Sequence, residues 1–338
     1  MAITHLLTPT LQGIAPVIIM GQMRPENSAS QQAVCLLTNL VCSCAIVFAN
    51  KVVMSTVGFK FAVALTCIHT IATFLTAKAL CLAGIITPKK LPKRAVVALA
   101  SAFTGYIVLC NVSLALNTVG FYQLTKIAIA PTVLIMDALA QRRMPRPKIA
   151  LCVLVVCLGI GFATVFDTDV MTYFPGMLVG FLSVIVSAQY GVWIGSIAKQ
   201  HDASPLQLLE QYLPYASAMM AACVPIEILI MGVDTKQTTT LLSFTYSFKA
   251  VEIIAISALL GVFVTFSTFL AIGSTSPLTY AVIGHLKTVF ILGGGVVIFG
   301  DKLTPIKGLG VMLALLGVVA YTLIRLGETV RSQSKGLK

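Results

Sequence analysis

Three basic residues fall where water is scarce: Lys78, Lys126 and Lys287 each lie within a long apolar stretch. Lys287 stands in the middle of Tyr280–Gly295 (YAVIGHLKTVFILGGG), with no acid close to it in sequence. An unpaired lysine at bilayer depth costs roughly 2.5–3.5 kcal/mol on insertion scales, so a chain keeps one there only where water, a partner or an anion meets it. Snorkelling is the undemanding alternative. At roughly 1.5 Å per residue, however, Lys287 is about 16 Å from the start of a span over 276–299, too far for its stem to reach the headgroups. Lys126, in VGFYQLTKIAIAP, is about 12 Å into its own stretch. Lys78 lies within a turn or so of an end and can snorkel. Pro131 follows Lys126 and removes the helical hydrogen bond to the carbonyl of Ile127, so a kink or opened turn is expected beside that lysine. A deep cation next to a weakened helix suits an anion site near the midplane.

The elements that must position these lysines follow from composition. Hydrophobic residues make up 58% of the 338 and charged residues only 10%, against about 25% charged in a soluble domain. Ten spans fit this length with short connections, near 32–54, 61–82, 94–116, 118–139, 149–166, 173–197, 207–231, 249–272, 276–299 and 304–325. The fold class expected is therefore an all-α polytopic membrane protein. The formal charge of +12 sits mostly in short loops and sets topology. Arg24, the basic residues of 89–94 and 142–148, Lys199, Arg325, Arg331, Lys335 and Lys338 place 14 on the side of both tails. Lys51, Lys60, Lys236, Lys249, Lys302 and Lys307 place 6 on the other. Positive loops stay cytoplasmic, so both termini are expected in the cytosol.

The first residues lack a basic segment ahead of the apolar run Ile14–Met20, so a cytosolic tail is expected there rather than a cleaved signal. The sequon Asn111-Val-Ser113 falls inside a span and should be unmodified. Nine cysteines lie in the apolar runs without metal-ligand spacing and read as small fillers. Gly176-x-x-x-Gly180, Gly191-x-x-x-Gly195 and Gly293–Gly295 read as close-packing faces that could also permit rocking.

The two deep lysines occupy matching places in the two halves. Lys126 precedes Pro145 by 19 residues, and Gly159 follows after 14 more; Lys287 precedes Pro305 by 18, and Gly317 follows after 12. Five spans per half is an odd number, so a duplicated half enters the membrane inverted, the arrangement that puts a substrate site at the repeat interface. The ten transmembrane helices are thus expected as two inverted five-helix repeats. The domains are a cytosolic N-terminal tail over 1–31, a first repeat over 32–167, a second over 168–325 and a basic cytosolic tail over 326–338.

Five stretches, in order, give the chain a family likeness: ANK (49–51), NVSLALNTVGFYQLTK (111–126), LQLLEQYLPY (206–215), FSTFLAIGSTSPLTYAVIGHLKT (266–288) and FGDKLTP (299–305). Over residues 32–325 the chain resembles the drug/metabolite transporter superfamily, and within it the nucleotide-sugar/triose-phosphate translocator group. The plant-type UDP-xylose transporter clade is nearest, with the UDP-rhamnose/UDP-galactose clade close behind. The resemblance implies a ten-helix exchanger in the Golgi or endoplasmic reticulum membrane, importing a UDP-sugar into the lumen and returning UMP by alternating access. UDP-xylose is the foremost substrate, with UDP-galactose, UDP-rhamnose or UDP-arabinose as alternatives. The sugar-phosphate branch carries Lys-Arg where this chain has Lys287-Thr288. Loss of an arginine able to clamp phosphate bidentately argues against plastid sugar-phosphate/phosphate exchange. The guanine-type FYNN and GALNK motifs are also absent: Phe121-Tyr122 is followed by Gln123-Leu124.

On this resemblance Lys126 and Lys287 form the phosphate pair. Tyr122, four residues before Lys126, and Tyr280, seven before Lys287, share the faces of their lysines and could stack on uracil or bond phosphate or ribose. Asn111 is a substrate contact or a helix-to-helix hydrogen bond. Asn50 and Lys51 match the family's NK motif, with Lys51 a phosphate contact or an interface anchor. Thr288 packs or lines the cavity edge. His69 and His285 read as buried helix contacts before ligands, and Gln211 and Tyr212 are lesser sugar or base candidates. The partners expected are the nucleotide sugar, the nucleoside monophosphate and the lipid bilayer, with no nucleic acid; a homo-oligomer is left open. No cofactor or metal is expected.

Two rivals belong to other classes. A membrane-embedded enzyme would need convergent acids or a nucleophile with its base, whereas the four histidines stand far apart, at 5, 69, 201 and 285. An exporter of cationic drugs would need a deep carboxylate, and the deep charges here are basic.

Overall fold

The computed structural model describes residues 29–117, 119–142, 144–164, 174–234, 241, 243–299 and 304–336. The expected tail ahead of Ala29, Lys236, and residues 300–303 of the FGDKLTP stretch lie outside them. Among the described residues the chain forms ten helices. They are α1 (Ala29–Ser55), α2 (Ala62–Leu82), α3 (Lys93–Leu116), α4 (Val119–Gln141), α5 (Pro147–Thr164), α6 (Phe174–Gln200), α7 (Pro205–Asp234), α8 (Phe248–Ser274), α9 (Pro277–Phe299) and α10 (Pro305–Gly336). Each expected span falls on one helix. The largest departure is α10, whose helix runs on beyond Arg325, through most of what was expected as a tail.

Local sequence explains the starts and stops. Four helices, α5, α7, α9 and α10, begin on proline, whose missing N–H is no loss in a first turn. Ser204 and Gln207 cap α7 reciprocally: the Ser204 hydroxyl accepts from the Gln207 amide (3.1 Å) and the Gln207 side chain accepts from the Ser204 amide (2.9 Å). Ser247 caps α8 by accepting from the Ala250 amide. Gly84, at φ +73°, follows α2 in the left-handed conformation that closes a helix.

Among the described residues six helices are long and apolar enough to cross a membrane: Ser30–Ser55, Ala62–Leu82, Lys93–Leu114, Phe174–Gln200, Phe248–Ser274 and Pro305–Ile324. Their outward faces carry large apolar side chains such as Leu37, Leu75, Phe181 and Leu316, as lipid-facing surfaces must. The protein is a polytopic helical membrane protein.

The helices gather into two compact units, each drawing on both halves of the sequence. The first comprises residues 1–100 and 194–276, the second 101–193 and 277–338. In the first, α1 packs on α8 and α2 packs on both α7 and α8. Its core joins Val53, Phe59, Phe61, Leu65 and Ile254. Phe59 meets Phe61 and Phe244 edge-on at 5.5 and 5.3 Å. In the second, α5 packs along α10, α4 on α5, and α9 on α4, α5 and α10, around Ile127, Val133, Val156, Ile160, Val282 and Tyr321.

The α5–α10 seam is reciprocal. A Cβ on Gly159 would run into the backbone of Ala314 and the carbonyl of Gly310, and one on Gly317 would lie 2.7 Å from Val156 Cγ2 and 2.9 Å from its amide nitrogen. These two glycines let the helices touch backbone to backbone. The expectation of close approach at Gly191 is corrected: nothing lies within 4 Å of where its Cβ would be. That face of α6 is open at Gly191, so no neighbour demands a glycine there.

Candidate substrate site

Helix α4 carries Lys126 and remains helical through Pro131. The expected opening of the turn is not seen. The carbonyl that proline frees, on Ile127, accepts instead from the Cys157 thiol of α5 at 3.7 Å, so the ladder stays closed with a sulfur donor. Lys126 is half-buried. Its Nζ lies 5.1 Å from the ring centroid of Tyr122, one turn earlier, and 5.5 Å from that of Tyr106 on α3. One turn beyond Tyr106, Cys110 presents its Sγ to the same nitrogen at 3.6 Å. Tyr106 is itself backed by Tyr190 of α6, stacked at 6.0 Å and 12°, and Phe103 meets Tyr190 at 5.5 Å.

Lys287 repeats the arrangement more simply. Its Nζ lies 4.7 Å from the ring centroid of Tyr280, two turns earlier on α9, and 3.5 Å from the phenolic oxygen. Helices α4 and α9, which carry Lys126 and Lys287, pack on each other within the second unit. Among the described residues neither lysine forms an ion pair; the salt bridges are Lys78–Glu210 and Lys89–Asp202. A ring face stabilises an ammonium by about 0.5–2 kcal/mol without neutralising it. The positive charge therefore remains available to an anion, and two such charges suit a phosphate or diphosphate.

The structure thus pairs Lys126 with Tyr122 and Lys287 with Tyr280, on two helices that pack together. Thr288 is half-buried beside Lys287, and Asn111 is half-buried beside Cys110. Asn50 and Lys51 lie in the first unit, at the end of α1. Lys51 is exposed, whereas the Asn50 amide oxygen accepts from Ser257 at 2.7 Å. The Ser257 oxygen lies 3.0 Å from Nε2 of His69. Because the Ser257 hydroxyl hydrogen is spent on Asn50, Nε2 of His69 is the donor in that contact. Asn50, Ser257 and His69 thus fasten α1, α8 and α2 together. His285 is buried, its Nε2 without a hydrogen-bond partner among the described residues. Tyr212 is fully buried and stacks on Phe269 at 5.3 Å, and Gln211 donates to Glu210 at 2.6 Å, so both serve packing within the first unit. Lys78 does more than snorkel, pairing with the buried Glu210. Glu227 caps α2 from α7, accepting from the amides of Val63 (2.7 Å) and Ala64 (2.9 Å).

Tyr106 and Tyr190 are not among the residues singled out from the sequence, and Cys110 was expected only as a small filler. The i, i+4 spacing of Tyr106 and Cys110 puts them on one face of α3, but nothing in the sequence says that this face meets Lys126. None of the nine cysteines is in a disulfide. Cys110 and Cys157 are among those that make polar contacts in addition to filling space. Among the described residues no group of three or more metal-ligating side chains occurs.

The sequence pattern of the Triose-phosphate Transporter family matches residues 30–322. The chain is 36% identical over 287 residues to UDP-xylose transporter 2 of Arabidopsis thaliana, covering 85% of this chain and 79% of that protein. It is 30% identical over 289 residues to UDP-rhamnose/UDP-galactose transporter 1 of the same organism, covering 84% and 80%. A solved crystal structure 15% identical in sequence matches with a TM-score of 0.69 over 88% of this chain and 98% of the other, a likeness of fold alone.

Proposed function

The chain belongs to the Triose-phosphate Transporter family, and from that premise, which makes it a transporter rather than an enzyme, we propose that it exchanges a UDP-sugar for UMP across a Golgi or endoplasmic reticulum membrane. The observation that carries this reading is the pair of half-buried lysines, Lys126 and Lys287, held over tyrosine rings with no ion pair among the described residues. UDP-xylose is the sugar nucleotide favoured, on the identity to UDP-xylose transporter 2, with UDP-galactose, UDP-rhamnose and UDP-arabinose as its competitors.

The chemistry runs as follows. A nucleotide sugar brings two phosphates and UMP brings one, and either anion offsets the cost of holding two ammonium groups away from bulk water. The empty site keeps both charges, so its reorientation through a closed, dry intermediate is slow, whereas the loaded site reorients readily. That difference makes transport an exchange. Rings of Tyr122 and Tyr280 offer faces for uracil. Thr288 in place of a second cation beside Lys287 favours a UDP-sugar over a sugar phosphate.

Ten crossings in two inverted repeats, 32–167 and 168–325, are part of the same proposal. The packing of α2 on α7, α4 on α9 and α5 on α10 supports it, because each pair joins a helix to the one five places later. The reciprocal contacts of Gly159 and Gly317 support it too. Both termini are placed in the cytosol on the loop charges.

The test is uptake into liposomes containing the purified full chain and preloaded with UMP. UDP-xylose, UDP-galactose, UDP-rhamnose and UDP-arabinose should enter in exchange for UMP, while GDP-mannose, CMP-sialic acid and triose phosphate compete poorly. Equal inhibition of labelled UMP uptake by GDP-mannose and by UDP-sugars would remove the uridine selectivity.

A further inference from the structure

We propose that Tyr106, buttressed by Tyr190, is a positioning residue for Lys126, holding its ammonium in place as an unneutralised cation for the incoming phosphate; this rests on the transport reading above. The ammonium has two ring faces at 5.1 and 5.5 Å and a thiol at 3.6 Å. Each of these partners is neutral and polarisable. A carboxylate in their place would hold the lysine more firmly but would also compete with the substrate for its charge. Rings hold the cation and leave the charge free.

The partner that decides the lysine's position is the one on another helix. Tyr122 and Lys126 share α4, so their contact moves with the helix and fixes nothing across it. Tyr106 comes from α3 and is backed in turn by Tyr190 of α6, whose ring lies nearly parallel to it at 12° and is itself met by Phe103 at 5.5 Å. The relay Tyr190 to Tyr106 to Lys126 therefore spans three helices and ends on the ammonium. Lys287, by contrast, has Tyr280 of its own helix as its ring partner among the described residues.

The experiment uses the full chain in UMP-loaded liposomes, with KM and Vmax for UMP exchange measured separately. Tyr106→Leu removes the ring face and should raise KM about fivefold with Vmax within about twofold. Tyr106→Phe, which keeps the face and drops only the hydroxyl, should recover most of that affinity. An unchanged KM in Tyr106→Leu, or a Tyr106→Phe as impaired as Tyr106→Leu, overturns the proposal. Should Tyr106→Leu fail to fold, Tyr190→Leu replaces it, with an expected rise of about twofold; no rise overturns the relay. A second readout does not depend on transport: labelling of Lys126 by a water-soluble amine-reactive ester, followed by peptide mass spectrometry, should speed up about threefold once the ring is gone. If the wild-type protein exchanges no nucleotide, the transport reading falls, and the labelling rate alone decides for or against the positioning role.

Discussion

Lys126 and Lys287 were legible in the sequence because a charge in an apolar run violates the composition around it, and such a violation needs no knowledge of neighbours. Their same-helix tyrosines were legible for a related reason: spacings of four and seven residues place side chains on one face. The ring and thiol from α3 and the buttress from α6 were not, since only tertiary packing sets which face of α3 meets α4. Alanine at Lys126 or Lys287 is easier to place in an apolar span than lysine, so either variant should insert and purify normally. Each should lose UMP exchange by roughly 30-fold or more, the scale of losing a desolvated charge from a charge pair. Near wild-type exchange by either variant would make that lysine a structural one. Thr288→Arg adds a cation beside Lys287. It should shift competition against labelled UMP toward inorganic phosphate and sugar phosphates, and an unchanged profile would remove Thr288 from the cavity.

Helix boundaries were legible because proline, glycine and capping residues act locally. Pro147, Pro205, Pro277 and Pro305 open their helices just where the apolar runs begin. The roles of Glu210 and Glu227 were not legible. Their partners, Lys78 and the first amides of α2, are more than a hundred residues away. At this scale the α5–α10 seam makes a sharp prediction. Gly159→Val would press two methyl groups into the backbone of α10, and overpacking of this kind costs about 1–3 kcal/mol. The unfolding midpoint in detergent should fall accordingly, whereas Gly191→Val, facing open space, should leave it unchanged. Equal midpoints for the two variants would contradict the seam. Gly261 is similarly constrained, since a Cβ there would stand 2.8 Å from the His69 ring.

For the whole molecule, the membrane class was legible from composition, while the division into two units was not. Each unit interleaves helices from both halves of the sequence, a pairing that hydropathy cannot express. The loop charges predict that epitope tags at both ends are reached when the plasma membrane alone is permeabilised. A tag protected from protease on the cytosolic side would refute the even number of crossings.

Trp193 is the chain's single tryptophan. It stands one turn beyond Tyr190 on α6 and closes the second unit's share of that helix. The protein therefore carries its own fluorophore one helical turn from Tyr190, whose ring stacks on the Tyr106 ring that faces Lys126. Binding of UMP should alter the emission of Trp193 in unlabelled protein, and the change should vanish in Lys126→Ala. Ligand occupancy could then be followed optically, in detergent, without a transport assay.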